Sequence, residues 1–415
     1  MKIAIVGSGI SGLVSAHLLA EEHEVVLYEA SDRIGGHTRT VTVQRVEGDL
    51  HVDTGFIVYN PENYPNFSRL LDRLGVETQP SNMSFSVRDD RTGLEYNGTS
   101  LNALFAQRRN IAKPRFLRMV RDIFRFYRES RSLLCERDYT LSLDEYLERN
   151  RYSREFIDWH IHPLGAAIWS TGRQGIGRIP VTFLVEFFAN HGFLNLGSRP
   201  RWRVLRGGSH RYLEPLSRNF RDSVRLNCPV RTIHRTPEHV EVHAGRADAE
   251  RFDQVVLATH SDQALGLLTD PSPAERQILG SIPYSASEVV LHTDERLLPR
   301  RPRARASWNY HLPMRTDNRP SVTYWMNSLQ SLPTPEPFCV TLNRTDSIAP
   351  DRIIRRFEYA HPVYTVEALQ AQLRRSEING QNRTWFCGAY WGYGFHEDGV
   401  RSALDVCAAF GKELR

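Results

Sequence analysis

An apolar run at the start of the chain, Met1 to Val6, passes directly into Gly7-Ser8-Gly9-Ile10-Ser11-Gly12. A helix-like segment, Leu13 to Ala20, and a second strand, Glu24 to Glu29, follow. Strand, glycine turn, helix and strand in this order form the fingerprint of a dinucleotide-binding unit. In such a turn Gly7 permits the sharp bend, Gly9 lets a pyrophosphate approach the backbone, and Gly12 lets helix and strand pack closely. The amino terminus of the helix, including Ile10 and Ser11, turns its free N–H groups and partial positive charge toward the phosphates. Glu29 stands 17 residues beyond Gly12, where a carboxylate can accept both ribose hydroxyls and disfavours a 2′-phosphate. The motif alone leaves NAD and FAD both open.

A chain of 415 residues exceeds one ordinary core, so two domains are expected. Its content of 40% hydrophobic and 24% charged residues is ordinary for a globular protein and excludes disordered or fibrous classes. No run approaches the roughly 18 to 20 apolar residues of a membrane span. The first strand begins too close to Met1 to leave room for a secretory leader, which predicts a cytoplasmic address. Cys135, Cys228, Cys339, Cys387 and Cys407 are dispersed and form no C-x-x-C pair, so they read as reduced, mostly core thiols with no metal. Of the 53 basic residues only Lys2, Lys113 and Lys412 are lysines, which restricts any mechanism that needs a lysine.

The stretch Ala30-Ser31-Asp32-Arg33-Ile34-Gly35-Gly36-His37-Thr38 resembles the family of flavin amine oxidases, phytoene desaturases and protoporphyrinogen oxidases. The resemblance implies that Arg33, Gly35 and Gly36 line the FAD diphosphate and the isoalloxazine edge, with Ala30 and Thr38 in the same loop. His37 occupies a position where the family usually carries a basic residue. Val52-Asp53-Thr54-Gly55-Phe56 matches the family's next element, which places Thr54, Gly55 and Phe56 beside the flavin. Leu205-Arg206-Gly207-Gly208-Ser209 matches the turn at which the chain returns to the FAD domain. By the same resemblance Val230, in Cys228 to Ile233, covers the adenine, and Ala258 and Thr259 end a buried strand near the dinucleotide. Trp385 to Ala389 forms another strand and turn, with Gly388 at the cofactor, and the stretch from Gly392 to Gly399 leads into a helix from Val400 to Phe410. Gly399 and Val400 would set that helix terminus against the flavin. Ala389 stands where many relatives carry an acid that holds the ribityl chain.

Taken jointly, these elements imply an α/β fold: a Rossmann-like FAD-binding domain of the amine oxidase type with a second, α+β substrate domain. The expected FAD domain is discontinuous, comprising residues 1–95, 201–280 and 376–415, with non-covalent FAD. The substrate domain takes the helical residues 96–200 and the strand-rich residues 281–375, where Ser287 to His292 and Ser321 to Met326 carry strong sheet signals. A cleft between the two is the expected site.

Many amine-oxidising relatives place a lysine beside the reactive flavin nitrogen, and alignment with the family strand puts Ser287 there. Their aromatic cage is altered too, with His396 at the last-motif position beside Phe395 and Glu397. Ala167-Ile168-Trp169-Ser170, Tyr324 to Gln330 and His361-Pro362-Val363-Tyr364 resemble a narrower branch, the flavoproteins associated with cyclopropane and methyl-branched fatty-acyl synthases. That branch implies a lipid acyl chain as substrate, dehydrogenated to introduce a double bond. The expected pocket is Trp169, Tyr324, Trp325, Phe395 and His396, with His396 as a proton acceptor. The alternatives are a flavin amine oxidase and a non-catalytic FAD-binding partner of a lipid methyltransferase.

Leu104 to Arg131 interleaves apolar residues with Arg108, Arg109, Lys113, Arg115, Arg118, Arg121, Arg125 and Arg128. This segment fits either an amphipathic helix packed on the core, opening at Pro114, or a peripheral contact with an anionic membrane surface. No nucleic-acid motif accompanies it, so no nucleic-acid partner is expected. His160 and His162 would share a face only in an extended segment and lack a third ligand, which argues against a metal.

Overall fold

The computed structural model describes residues 1–195, 200–245, 248–314 and 319–414. Residues 196–199, 246–247, 315–318 and 415, which the expected domain ranges include, lie outside the described residues. A five-stranded parallel sheet carries the opening motif. Its order is Thr384–Phe386, Gln254–Leu257, β1 (Lys2–Val6), β2 (Glu24–Tyr28) and Val224–Arg225. Ile3, Ala4 and Ile5 are fully buried, as the continuous apolar run of a strand covered on both faces requires. Register is set by Ile3 opposite Val25 on one side and Gln254 on the other.

The helix α1 (Ile10–Leu19) follows β1 and packs against the final helix, His396–Ala408. The contact is close because Gly399 has no side chain: a Cβ there would lie 2.7 Å from Cγ2 of Ile10. A three-stranded antiparallel sheet, Val230–Arg235, Val240–Ala244 and Glu250–Phe252, leads into the strand Gln254–Leu257.

A seven-stranded mixed sheet forms the second region, in the order Ile353–Pro362, Tyr284–His292, Cys339–Leu342, Val322–Trp325, Trp308–Leu312, Phe85–Asp89 and Leu94–Asn97. Phe85–Asp89 pairs in parallel with Trp308–Leu312. The boundary expected at residue 95 therefore moves toward the chain start, because main-chain pairing places these two strands in the mixed sheet. Helices between residues 101 and 190 pack over this sheet with an apolar core of their own.

Within that core the helix Pro114–Glu129 opens at Pro114, as expected. Phe116, Met119 and Phe126 face inward and are buried. Leu117 and Phe124 remain exposed, as do Leu101 and Ile111 in the preceding turns. Several of its arginines are paired: Arg115 and Arg118 with Glu155, Arg121 with Asp122, and Arg125 with Glu129. Among the described residues no helix is long and apolar enough to cross a membrane. Cys339, Cys387 and Cys407 are buried thiols, while Cys135 is exposed and no cysteine is paired.

Candidate active site

The carboxyl ends of the parallel strands open into a cavity of about 1080 Å³. Gly7 after β1, Glu29 after β2, Ala258 and Thr259 after the strand Gln254–Leu257, and Gly388 after Thr384–Phe386 all line it. This is where an open parallel sheet presents its ligand crevice. The opposite wall belongs to the mixed sheet and the helices, through Trp169, Phe187, Val289, Trp308 and Tyr324.

The glycine turn has the shape that a diphosphate needs. Gly7 has a φ of +100°, and a Cβ there would lie 2.8 Å from the carbonyl oxygen of Ala258. At Gly12 a Cβ would fall 1.9 Å from the carbonyl oxygen of Gly7, so this glycine is behind the cavity wall and sets the distance between α1 and the turn. Gly9 differs, because a Cβ would meet nothing within 4 Å; its free side is the cavity. No side chain caps α1, and Gly9, Ile10 and Ser11 line the cavity, leaving the N–H groups of the first turn for a ligand.

Glu29 holds the rim of this turn. Its carboxylate accepts from the Ser8 nitrogen at 3.0 Å, from the Ser31 nitrogen at 2.9 Å and from both serine hydroxyls. Burial raises its pKa, yet the hydrogen bonds from Ser8 and Ser31 outweigh burial and hold the group below its ordinary range.

Arg33 and Thr38 do not line the cavity. The Arg33 guanidinium donates to the carbonyl oxygens of Ile34, Gly36 and Thr38, bracing the loop that presents Gly35, Gly36 and His37 to the cavity. Ala30, Thr54, Gly55, Phe56 and Val230 are in the wall, as expected. Gly399 and Val400 are not, because the last helix starts at His396, four residues before the expected start, and carries them one turn inside. Val400 is fully buried. Of the expected pocket, Trp169, Tyr324, Phe395 and His396 line the cavity, and Trp325 does not. Tyr324 and Trp325 are consecutive in one strand, where side chains alternate between faces.

His396, expected as a proton acceptor, is clamped between two hydroxyls and an aromatic ring. Its Nε2 lies 3.0 Å from the Thr38 hydroxyl and 3.3 Å from that of Tyr212. Its ring stacks on Phe56 at a centroid distance of 3.6 Å. Burial pushes its pKa down to about 3, so the ring is neutral near pH 7 and a weak base. Glu397 and Asp398 accept main-chain hydrogen bonds, Glu397 from the nitrogens of Asn66 and Phe67 at the start of another helix, and Asp398 from those of Tyr393 and Phe395 before its own. Ser287 is buried and outside the lining, whereas Val289 on the same strand reaches it.

A histidine group went unrecognised in the sequence. The His37 ring lies 5.3 Å from that of His361, 5.9 Å from His260 and 5.0 Å from Tyr359, and all four line the cavity. His37 Nε2 and His361 Nδ1 are buried without a hydrogen-bond partner among the described residues. Burial drives His37 well below its ordinary pKa, with His361 and His260 adding to the effect, and brings His361 to about 4. His260 could have been found from its position three residues beyond the strand Gln254–Leu257; His361 enters through the pairing of Ile353–Pro362 with Tyr284–His292, which local sequence does not reveal.

The unfilled helix terminus, the open face of Gly9, the rim carboxylate and the orphaned imidazole nitrogens fit an elongated dinucleotide with a polar middle. The fold and site thus define a flavoprotein with a dinucleotide-binding sheet and a separate substrate wall. The chain belongs to the family described as flavin containing amine oxidoreductase, whose pattern it matches over residues 10–410; its cofactor is FAD and its class that of the oxidoreductases.

Among curated proteins it is 28% identical over 310 residues to a lysine-specific histone demethylase 1B homolog of Caenorhabditis elegans, covering 66% of this chain and 34% of the relative. The match thus spans about a third of that protein's length. Solved structures of several proteins share the fold, two of them as follows. A putrescine oxidase bound to putrescine superposes with a TM-score of 0.69 at 17% identity, covering 99% of each chain. A fatty acid isomerase from P. acnes that produces CLA superposes with a TM-score of 0.71 at 16% identity, covering 98% of each chain.

Proposed function

We propose that the protein dehydrogenates a long apolar substrate, a lipid acyl chain, at the surface of an anionic membrane. The observation that carries this reading is the substrate wall: Leu164, Ile168, Trp169, Phe187, Val289 and Trp308 line it, and none of the three lysines does. FAD supplies hydride uptake. One carbon of the chain would give a hydride to bound FAD and its neighbour would release a proton to solvent at the open end of the chamber, leaving a double bond; molecular oxygen would accept the two electrons and become hydrogen peroxide. The chain's own residues contribute shape and exclusion of water, since the wall is aromatic and aliphatic and its histidines are neutral. The shared fold of the fatty acid isomerase supports an acyl-chain ligand.

Membrane docking rests on Leu101, Ile111, Leu117 and Phe124, which are exposed on the segment that also carries Arg108, Arg109 and Lys113. Tyr127 of the helix Pro114–Glu129 and Gly98, just before this segment, both line the cavity. Lipid met at that face would be close to one end of the chamber.

A second reading, amine oxidation, is favoured by the family itself and by the fold shared with putrescine oxidase. Anaerobic absorbance of the FAD-loaded protein separates the readings. Bleaching by methyl-branched phospholipid and not by amines is expected. Bleaching by an amine alone would assign the amine oxidase reading. Binding of a lipid methyltransferase with no bleaching by either ligand would assign a scaffold role.

A further inference from the structure

His160 sits in the wall supplied by the helical region, on the π-helical turn Ile157–Ile161. Such turns are wider than an α-helical turn and are frequent at functional sites. The side chain is fixed from two directions. Its ring stacks on Phe156 at 5.8 Å, and its Nδ1 lies 3.1 Å from the hydroxyl of Tyr96.

The Tyr96 hydroxyl is 2.7 Å from the carbonyl oxygen of Trp159. A carbonyl can only accept, so the phenolic proton points there. The phenolic oxygen must then receive a proton from His160, which places hydrogen on Nδ1 and leaves the lone pair on Nε2. That Nε2 is buried and has no hydrogen-bond partner among the described residues, while the residue is only 7% exposed and lines the cavity. A buried polar atom without a partner is costly in the free protein and is relieved by a ligand that supplies the missing group.

We infer that His160 Nε2 accepts a hydrogen bond from a neutral donor on the substrate, a hydroxyl group carried by the apolar chain. A carboxylate would set its own lone pairs against that of Nε2. Among the described residues no acidic side chain is paired with the ring to favour an imidazolium, and burial opposes one, holding the pKa near 3. The titratable group in contact is Tyr96; Tyr127 is the other phenol of the nearby wall, and burial moves Tyr96 well above its ordinary pKa. His160 is thereby a specificity residue for a hydroxylated chain. This inference rests on the reading that the chamber takes an acyl chain.

The test is calorimetric titration of the oxidised FAD-loaded protein with 1-decanol, 1-methoxydecane and decanoate, which requires no turnover. Decanol is expected to bind about tenfold more tightly than the methyl ether, the value of one hydrogen bond, with decanoate weakest. His160→Phe should bring the alcohol-to-ether ratio to about one, and His160→Gln, which retains an acceptor, should preserve part of it. If His160→Phe does not fold, Tyr96→Phe decides: freed from the phenol, the ring no longer holds its lone pair in place, and the ratio should fall with ether affinity unchanged. Equal binding of alcohol and ether to the native protein, or tightest binding by decanoate, would overturn the role of His160 and leave the acyl-chain reading standing. Binding of none of the three would overturn both.

Discussion

Glu397 Oε2 lies 2.9 Å from the backbone nitrogen of Phe67, 330 residues away in sequence. The other carboxylate oxygen accepts from the Asn66 nitrogen and its side-chain amide. A side chain in the first turn of one helix thus caps another, Pro65–Arg73, whose own N-cap residue Tyr64 provides no side-chain bond. Glu397→Ala leaves two main-chain donors without their acceptor and should lower stability by about 2 kcal/mol. Glu397→Gln, which keeps one acceptor oxygen, should lose roughly half as much. Urea unfolding followed by circular dichroism measures both.

The glycines of the opening turn should respond differently to one added methyl group. Gly9→Ala projects into the cavity, so the apoprotein should retain its melting temperature while FAD affinity falls by at least roughly tenfold. Gly12→Ala collides with the turn itself and should destabilise the protein with or without cofactor. Thermal melts of apo and loaded forms, with a fluorescence titration of FAD, distinguish these outcomes.

His292 should make the protein acid-sensitive. Its Nδ1 accepts from the Asp294 nitrogen at 3.1 Å, its Nε2 lies 2.7 Å from the Thr341 hydroxyl, and burial brings its pKa to about 4. A depressed folded value means that the unfolded chain binds the proton first. The stability contribution is complete above about pH 6.5, the ordinary histidine value, and is lost as pH falls toward 4. His292→Gln should flatten that part of the curve of unfolding free energy against pH, compared with the native protein.

The neutral His396 predicts a negative result in kinetics. Its replacement by Asn should weaken the link between Thr38 and Tyr212 and lower the melting temperature, and the pH–rate profile should keep the same limbs between pH 5 and 8. Loss of a limb with this variant would restore His396 as a proton acceptor.

Membrane docking should depend on the exposed apolar residues as well as on charge. Leu117→Ser with Phe124→Ser should reduce co-sedimentation with vesicles containing phosphatidylglycerol, while leaving secondary structure unchanged. Raising salt should weaken the native interaction as the screening length shortens. Unchanged co-sedimentation would remove this face from the function.

The parallel sheet and its glycine turn were legible in sequence because they combine two local signals, an uninterrupted apolar strand and glycines at fixed spacing. The resemblance carried Thr54 to Phe56, Val230 and Gly388 into the same cavity. What escaped depends on geometry that a linear pattern does not hold. Trp325 was lost to strand alternation, Val400 to a helix that starts one turn sooner, and Arg33 to carbonyls of its own loop. The His37, His260 and His361 group joins three segments that meet only when two sheets face each other. His160 was visible as a histidine, but its open nitrogen is defined by Tyr96 and Trp159, and its inward aim by a wide helical turn.

The order of the parallel sheet has a consequence for synthesis. β1 is made before the other strands of its sheet, yet one of its neighbours is Gln254–Leu257, and the next strand beyond that is Thr384–Phe386. Closing such distant pairings is slow. The glycine turn must wait, through most of translation, for the strand endings and the final helix that complete its pocket, and until then the nascent chain can offer the cofactor only half a grip.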